Sequence, residues 1–294
     1  MFVAVLSDKP ELREQFCKFM GKELSKEDLA LYSVDCPDRR IWLIDPLTYP
    51  EKIQPLLYSL SMADLVVVLV DGISPKVGEL LVAINSMKLG QGIIVSSVSL
   101  PVAGTVLEKY ERVTDLNAAK EKLLAAKPDA AGENTFGLVH KTSTVPSLGN
   151  VAFGVLKGGK VKKQDKLFLL PSGKDLEVRS IHVDGNDTEE ISAASRFEIA
   201  YKGELVERGV LAPLRHEFQV GNIVNGRFIK NPFFKDELKG KIHAYTNLQF
   251  VEGNVTDNDL TLSDSLAFEK GESILVIDAS NQKLRVAGVF QSKW

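Results

Sequence analysis

The side chains able to ligate metal or cross-link the chain are few and dispersed. The 294-residue sequence carries two cysteines, Cys17 and Cys36, and four histidines, His140, His182, His216 and His243. None sits in the close, ordered spacing of a zinc site, so no metal is expected. Two cysteines outside a CxxC pair do not make a secreted disulfide framework, and a reducing cytoplasm is the expected setting. Cys17, beside Phe16, reads as core packing. The basic residues 160–166 form a small cluster that could meet an RNA backbone. A net charge of −3 and the lack of a long basic stripe would keep any such contact local. The longest apolar run, 65–70, is too short to cross a membrane, and no membrane partner is expected. The apolar start Met1-Phe2-Val3-Ala4-Val5-Leu6 reads as a buried strand rather than a signal peptide.

The elements that would position these residues change character along the chain. The first third alternates strand and helix. Strands are expected at 2–6, 29–34, 40–45, 65–70 and 92–95, with a further one around 110–116. The second and third of these should pair as a hairpin around the turn Cys36-Pro37-Asp38. Helices are expected from Pro10 to Gly21, from Pro50, through 77–87, and at 117–126. In the first, Leu12, Phe16, Phe19 and Met20 should face inward; in the second, Ile53, Leu56, Leu57 and Leu60. This pattern predicts an α/β sheet covered on both faces. The stretch 127–132 reads as a linker.

From Thr135 onward the helical period vanishes. Short strands at 136–140, 151–155, 166–170, 177–183, 196–200 and 210–212 alternate with turn residues. A second set follows at 221–229, 241–245, 248–251, 273–277 and 285–290. Each set is the size of a small β-barrel. The expected architecture is α/β plus all-β, with domains at 1–128, 133–214 and 217–294.

Residues 147–165 read Ser147-Leu148-Gly149-Asn150-Val151-Ala152-Phe153-Gly154-Val155-Leu156-Lys157-Gly158-Gly159-Lys160-Val161-Lys162-Lys163-Gln164-Asp165. Gly149, Val151, Gly154, Gly159 and Asp165 resemble the opening of the second domain of translational GTPases of the elongation factor Tu and SelB type. Glu207-Arg208-Gly209-Val210-Leu211-Ala212 resembles the closing strand of that domain, and Val178-Arg179-Ser180-Ile181-His182 its central strand. Ala63-Asp64-Leu65-Val66-Val67-Val68-Leu69-Val70-Asp71-Gly72 resembles the fourth strand of the GTPase domain. Ile44-Asp45-Pro46-Leu47-Thr48-Tyr49-Pro50 looks like the third GTPase motif in the SelB-like factors of methanogenic archaea, the nearest group. The resemblance covers the whole chain. It implies a P-loop-GTPase-like first domain followed by two barrels.

A working phosphate loop, G-x-x-x-x-G-K-[ST], wraps phosphate with backbone N–H groups and presents a lysine and a metal-binding hydroxyl. The matching stretch is Ser7-Asp8-Lys9-Pro10-Glu11-Leu12-Arg13-Glu14. Ser7 and Leu12 replace the glycines, Arg13 the lysine, and Glu14 the hydroxyl residue. Pro10 removes an N–H donor, and Glu14 would repel a polyanion. Asp45 keeps the aspartate of D-x-x-G, but Thr48 replaces its glycine and Tyr49 the following histidine. Where guanine would be read, Ser97 and Leu100 stand, and Leu100 supplies no acceptor. The joint departure implies a degenerate nucleotide site with no catalytic residue, no metal and no cofactor. The plainer alternatives are a solvated helix face for Lys9, Arg13 and Glu14, a strand-end cap for Asp45, and loop packing for Tyr49.

The resemblance also implies partners: tRNA, the ribosome or another translation factor. Arg196, Arg208, Arg215, Arg227, Lys230 and Phe233 are candidate contacts, with plain surface or fold roles as the alternative. Three readings stay open: a nucleotide-independent binding module, a weak or atypical GTP-binding elongation factor using GTP and Mg²⁺ with residual GTPase activity, and a scaffold with no RNA role.

Overall fold

The computed structural model describes residues 1–37, 39–128, 132–205, 208–213, 218–238 and 240–293. The chain divides into two compact units. The first is Met1–Asp129 with Asn231–Asp236 and Asp278–Ala287; the second is Ala130–Lys230, Glu237–Ile277 and Gly288–Trp294.

The first unit holds β1 (Phe2–Leu6), β2 (Lys22–Lys26), β3 (Leu29–Asp35), β4 (Arg40–Pro46), β5 (Leu65–Val70), β6 (Gly92–Ser96) and β7 (Glu111–Val113). They form one seven-stranded sheet in the order β2-β3-β4-β1-β5-β6-β7. β1 runs parallel to β4 and β5, and β5 and β6 continue the parallel set to β7. β3 is antiparallel to both β2 and β4. β1 and β5 are buried along their whole length, as unbroken apolar runs at the centre of a parallel sheet should be.

Four helices cover the sheet: α1 (Pro10–Met20), α2 (Gln54–Met62), α3 (Pro75–Ser86) and α4 (Leu116–Ala125). Phe16, Cys17 and Met20 of α1 and Ala119 and Leu123 of α4 share one core with Val3, Val5, Val67 and Ile93. The side chain of Ser74 caps α3 by accepting from the Val77 N–H at 3.0 Å.

Two expectations need correction here, and one strand was not expected. The second helix does not open at Pro50, which lies in a turn; α2 begins at Gln54, with Pro55 in its first turn. Phe19 is not inward: it is 40% exposed, and the Lys120 ammonium lies 5.2 Å from its ring centre. The buried stripe of α1 is Arg13, Phe16, Cys17 and Met20, at i, i+3, i+4 and i+7. β2 gave no apolar signal because all five of its residues are exposed. It is an edge strand whose lysines and glutamate discourage further pairing. Asp38 of the expected turn and part of the expected linker lie outside the described residues.

The second unit carries β8 (Phe136–Val145), β9 (Gly149–Gly158), β10 (Lys160–Lys162), β11 (Lys166–Leu170), β12 (Lys174–Val183), β13 (Asn186–Thr188), β14 (Glu190–Ser192), β15 (Arg196–Lys202) and β16 (Gly209–Ala212). Their main sheet runs β11-β16-β8-β9-β15-β12-β13, and β11 also pairs with β12, which closes six strands into a barrel. β10 and β14 form a separate antiparallel pair. β17 (Gln219–Lys230), β18 (Ile242–Thr246), β19 (Gln249–Val255), β20 (Asp259–Phe268), β21 (Ser273–Ile277) and β22 (Val286–Ser292) make a second closed barrel in the order β17-β20-β19-β18-β21-β22.

Two glycines of the 149–165 stretch have geometric reasons. A Cβ on Gly154 would stand 2.2 Å from the Leu138 carbonyl oxygen, so only glycine lets β8 and β9 pack here. Gly159 has φ +62° and lies against Thr135, at the corner between β9 and β10. Asp165 closes the next turn by accepting from the Lys162 N–H at 2.7 Å.

Candidate functional site

The loop after β1 delivers the chain into α1, and α1 points Arg13 inward. Arg13 is 0% exposed, which overturns its placement on a solvated helix face. Its Nε donates to Asp45 Oδ1 at 2.7 Å and its Nη1 to the Ser7 carbonyl at 2.7 Å. Its Nη2 donates to the carbonyls of Pro46 and Tyr49, both at 3.0 Å. Asp45, at the end of β4, is 1% exposed. Burial pushes its carboxyl above the usual range while Arg13 pulls it down. The guanidinium fork is thus spent inside the protein on one carboxylate and three carbonyls.

The neighbouring charges stay at the surface. Lys9 pairs with Asp71 at 2.6 Å, and Asp8 accepts from the Ser74 hydroxyl at 2.7 Å. Glu14 pairs with Lys18 at 2.8 Å and approaches Lys26 at 3.8 Å. Its bond to Lys18 holds its carboxyl below the ordinary value. Leu12 is half-buried against the core, and Ser7 is buried, its hydroxyl accepting from the Lys9 N–H at 3.2 Å.

Beyond Asp45 the chain turns through Thr48 and Tyr49. Tyr49 is 0% exposed, in keeping with the loop-packing alternative. Its hydroxyl donates to the Lys76 carbonyl at 2.9 Å and lies 3.4 Å from Glu79 Oε1. Burial pushes the Tyr49 hydroxyl pKa well up, and the Glu79 charge adds to it. Glu79, on α3, is fully buried and carries a bidentate pair with Arg285, which is 5% exposed. The Arg285 N–H and Nε both donate to Glu79 Oε2 at 2.9 Å. Burial alone would raise the Glu79 carboxyl, but its bonds to Arg285 outweigh burial and hold it below the ordinary value. The Arg285 guanidinium also lies 5.7 Å from the Tyr49 ring centre. Glu79 and Arg285 were missed as site residues. The signal was a glutamate inside the buried stretch Val77–Leu81 of α3.

Ser97 and Leu100 follow β6. Ser97 is exposed, while Leu100 is buried and offers its loop no hydrogen-bonding side chain. The turn between them is closed locally by Ser96, whose hydroxyl accepts from the Val98 N–H at 3.1 Å.

The candidate contact residues are not gathered into one site. Arg196 pairs with Glu198 at 2.7 Å, and Arg208 donates through Nε to the His140 carbonyl at 2.7 Å. Both act within the first barrel. Arg227 and Lys230 are exposed on β17. Phe233 is 67% exposed beside the buried Phe234, and with Pro232, Leu81, Val82, Val102 and Leu284 it lines a cavity of about 300 Å³ in the first unit. Arg215, His216 and Glu207 lie outside the described residues. Among the described residues no cluster of histidine, cysteine, aspartate or glutamate could hold a metal ion. None of their helices is long and apolar enough to cross a membrane.

No family model matches the chain. It is 29% identical over 294 residues to the uncharacterized protein MJ0325 of Methanocaldococcus jannaschii, covering 92% of this chain and 94% of that one. Translation elongation factor SelB of Methanococcus maripaludis, solved with the GTP analogue GppNHp, superposes with a TM-score of 0.80 at 17% identity, over 100% of this chain and 79% of that one. The apo form of the same factor gives 0.79 at 15% identity, with the same coverage. A bacterial selenocysteine-specific elongation factor, EF-Sec, gives 0.73 at 19% identity over 98% of this chain. The present chain spans only 58% of that factor's length. The chain has the fold of the SelB-type elongation factors.

Proposed function

We propose that this protein is an elongation-factor-like binding module that neither binds nor hydrolyses GTP, and that its partner is tRNA, the ribosome or another translation factor. In this reading residues 1–128 are a degenerate GTPase-like domain, 133–214 and 217–294 are the two barrel domains, and the protein works in the cytoplasm. Its first domain derives from a P-loop GTPase of the SelB type, nearest to those of methanogenic archaea.

The observation that carries the reading is the buried Arg13–Asp45 pair. A phosphate loop needs a cation free to meet the incoming anion, and a carboxylate free to hold the metal's water shell. Here the residue aligned with that cation is bound to the residue aligned with that carboxylate. Freeing either would break a buried pair, which costs about 3–5 kcal/mol. At ~1.4 kcal/mol per decade, that is about two to three and a half powers of ten in affinity before any other loss is counted. The nearby Lys9 is taken by Asp71, and Pro10 and Leu12 remove the backbone cradle. The residues present do not fit a nucleoside triphosphate with Mg²⁺.

Calorimetric titration of the protein with GTP and with GDP, in Mg²⁺, tests this. No heat of binding is expected at micromolar protein. Micromolar affinity would establish the weak GTP-binding factor instead. The partner class is tested by co-sedimentation with ribosomes and with bulk tRNA, with and without ribonuclease. Capture that survives ribonuclease would point to a protein partner, and no capture in either arm would sink the link to translation.

A further inference from the structure

Residues 46–51 are gripped from two sides by buried arginines. Arg13 donates through Nη2 to the carbonyls of Pro46 and Tyr49, both at 3.0 Å. Arg285, in the stretch Asp278–Ala287 of the same unit, donates through Nη1 to the Glu51 carbonyl at 3.1 Å and lies over the Tyr49 ring. Each arginine has its own buried carboxylate, Asp45 for Arg13 and Glu79 for Arg285. Tyr49 belongs to both grips. Its carbonyl serves the first, and its ring and hydroxyl serve the second. Between the grips the Thr48 Oγ1 is buried without a hydrogen-bond partner. An unmade bond of this kind is unfavourable, and the conformation is held against it by the turn bonds from the Tyr49 and Lys52 N–H groups together with the two flanking grips.

We propose that Arg13 and Arg285 form a permanent clamp on residues 46–51, with Tyr49 coupling its two halves, so that this segment keeps one conformation without any ligand. The inference rests on the reading above that no nucleotide takes part. In a ligand-operated switch such a segment orders only when the ligand's charge arrives. Here the two internal guanidinium groups supply the ordering hydrogen bonds constantly. A partner that reads this segment or the stretch Asp278–Ala287 therefore meets one state at all times.

Hydrogen exchange of the full-length protein, read by mass spectrometry, tests the clamp. The reporters are the amides of Tyr49 and Lys52, which donate to Pro46 at 3.1 Å and Thr48 at 2.8 Å. Arg285→Lys keeps the charge but loses the fork. It should speed exchange at both amides by about tenfold, the factor for ~1.4 kcal/mol of local opening. Arg13→Lys should do the same, and the double variant should show less than the product of the two effects. In a Tyr49→Leu background the two effects should multiply independently. Unchanged exchange in Arg285→Lys, or independent effects with Tyr49 intact, would overturn the clamp. Should Arg13→Lys fail to fold, Arg285→Lys and Tyr49→Phe alone decide: both must loosen the Tyr49 and Lys52 amides, and failure of either overturns the clamp. Millimolar GTP or GDP should leave wild-type exchange unchanged. Nucleotide-dependent protection of 46–51 would overturn both this inference and the function proposed above. Lost coupling without nucleotide effects would overturn only this one.

Discussion

Arg13 in the first unit and Lys163 in the second carry the same charge and do opposite things. Arg13 is withdrawn from water completely and exchanges its hydration for four hydrogen bonds. Lys163 stays at the surface and pairs with Asp187 at 2.7 Å and Glu189 at 2.8 Å. The first arrangement fixes a conformation, because a buried charge tolerates few geometries. The second fixes little, because water can replace either partner. The contrast breaks most sharply at Arg13. Arg13→Met should leave Asp45 buried and unpaired and destabilise the first unit by about 3–5 kcal/mol, measured by urea denaturation followed through Trp42 fluorescence. A loss below about 1 kcal/mol would mean that Asp45 simply takes up a proton. Arg13→Met combined with Asp45→Leu should recover much of the loss, since an apolar replacement of both partners removes the stranded charge.

Two carboxylates, Glu79 buried and Glu272 partly buried, sharpen the same comparison through their response to pH. Glu79 in the first unit faces Arg285, and Lys76 lies at 3.5 Å. Glu272 in the second faces neutral donors: the Thr246 hydroxyl, the Asn247 amide at 3.2 Å and the Glu269 N–H at 2.8 Å. The Glu79 carboxyl is held below its ordinary 4.5, whereas burial lifts Glu272 above it. The signs follow. Glu79 contributes stability that is fully present above pH 4.5 and is lost as pH falls through its depressed value. For Glu272, stability is greatest at low pH and declines as pH rises through 4.5 and then through its raised value. The advantage of wild type over Glu79→Gln should therefore shrink between pH 5 and pH 3, roughly the acid side of an ordinary carboxylate. The advantage over Glu272→Gln should grow over the same interval. Melting curves of the three proteins at each pH decide it, and slopes of the same sign would refute the account.

The elements that were legible in the sequence are those whose signal is local. The apolar runs of β1 and β5 and the helix start at Pro10 each follow from neighbours a few residues away. β20 was not legible, because Asp264 and the serines beside it interrupt the alternation and mimic a turn. Arg13 was not legible as an inward residue. Its charge argued for solvent, although it shares the buried stripe with Phe16, Cys17 and Met20, and only the carboxylate of Asp45 and the carbonyls around it reverse that argument. The Glu79–Arg285 pair joins residues 206 positions apart, and no local pattern encodes such a contact. The site was therefore found from its alignment with a phosphate loop, while its physical content, a cation neutralised from within, came from tertiary structure.

The smallest effect belongs to the basic cluster at 160–166, and it bears on where RNA could touch the molecule. Lys160 and Lys162 both face Glu190, at 3.4 and 3.5 Å, and Lys163 faces Asp187 and Glu189. The acidic edge 187–190 thus cancels most of the field that the sequence run suggested. Replacing Lys163 with alanine should leave the melting curve of the barrel unchanged, as for most exposed pairs, and should leave tRNA or ribosome capture unchanged as well. Arg227 and Lys230 are exposed on β17, opposite Gln291 and Gly288 of β22, so Arg227→Ala and Lys230→Ala probe the second barrel. If RNA binds, these two variants should weaken it at low salt and flatten its salt dependence, by about one unit of slope per lost phosphate contact. A larger loss from Lys163→Ala than from Arg227→Ala would place the RNA on the first barrel instead, and would show that the acidic edge gives way to it.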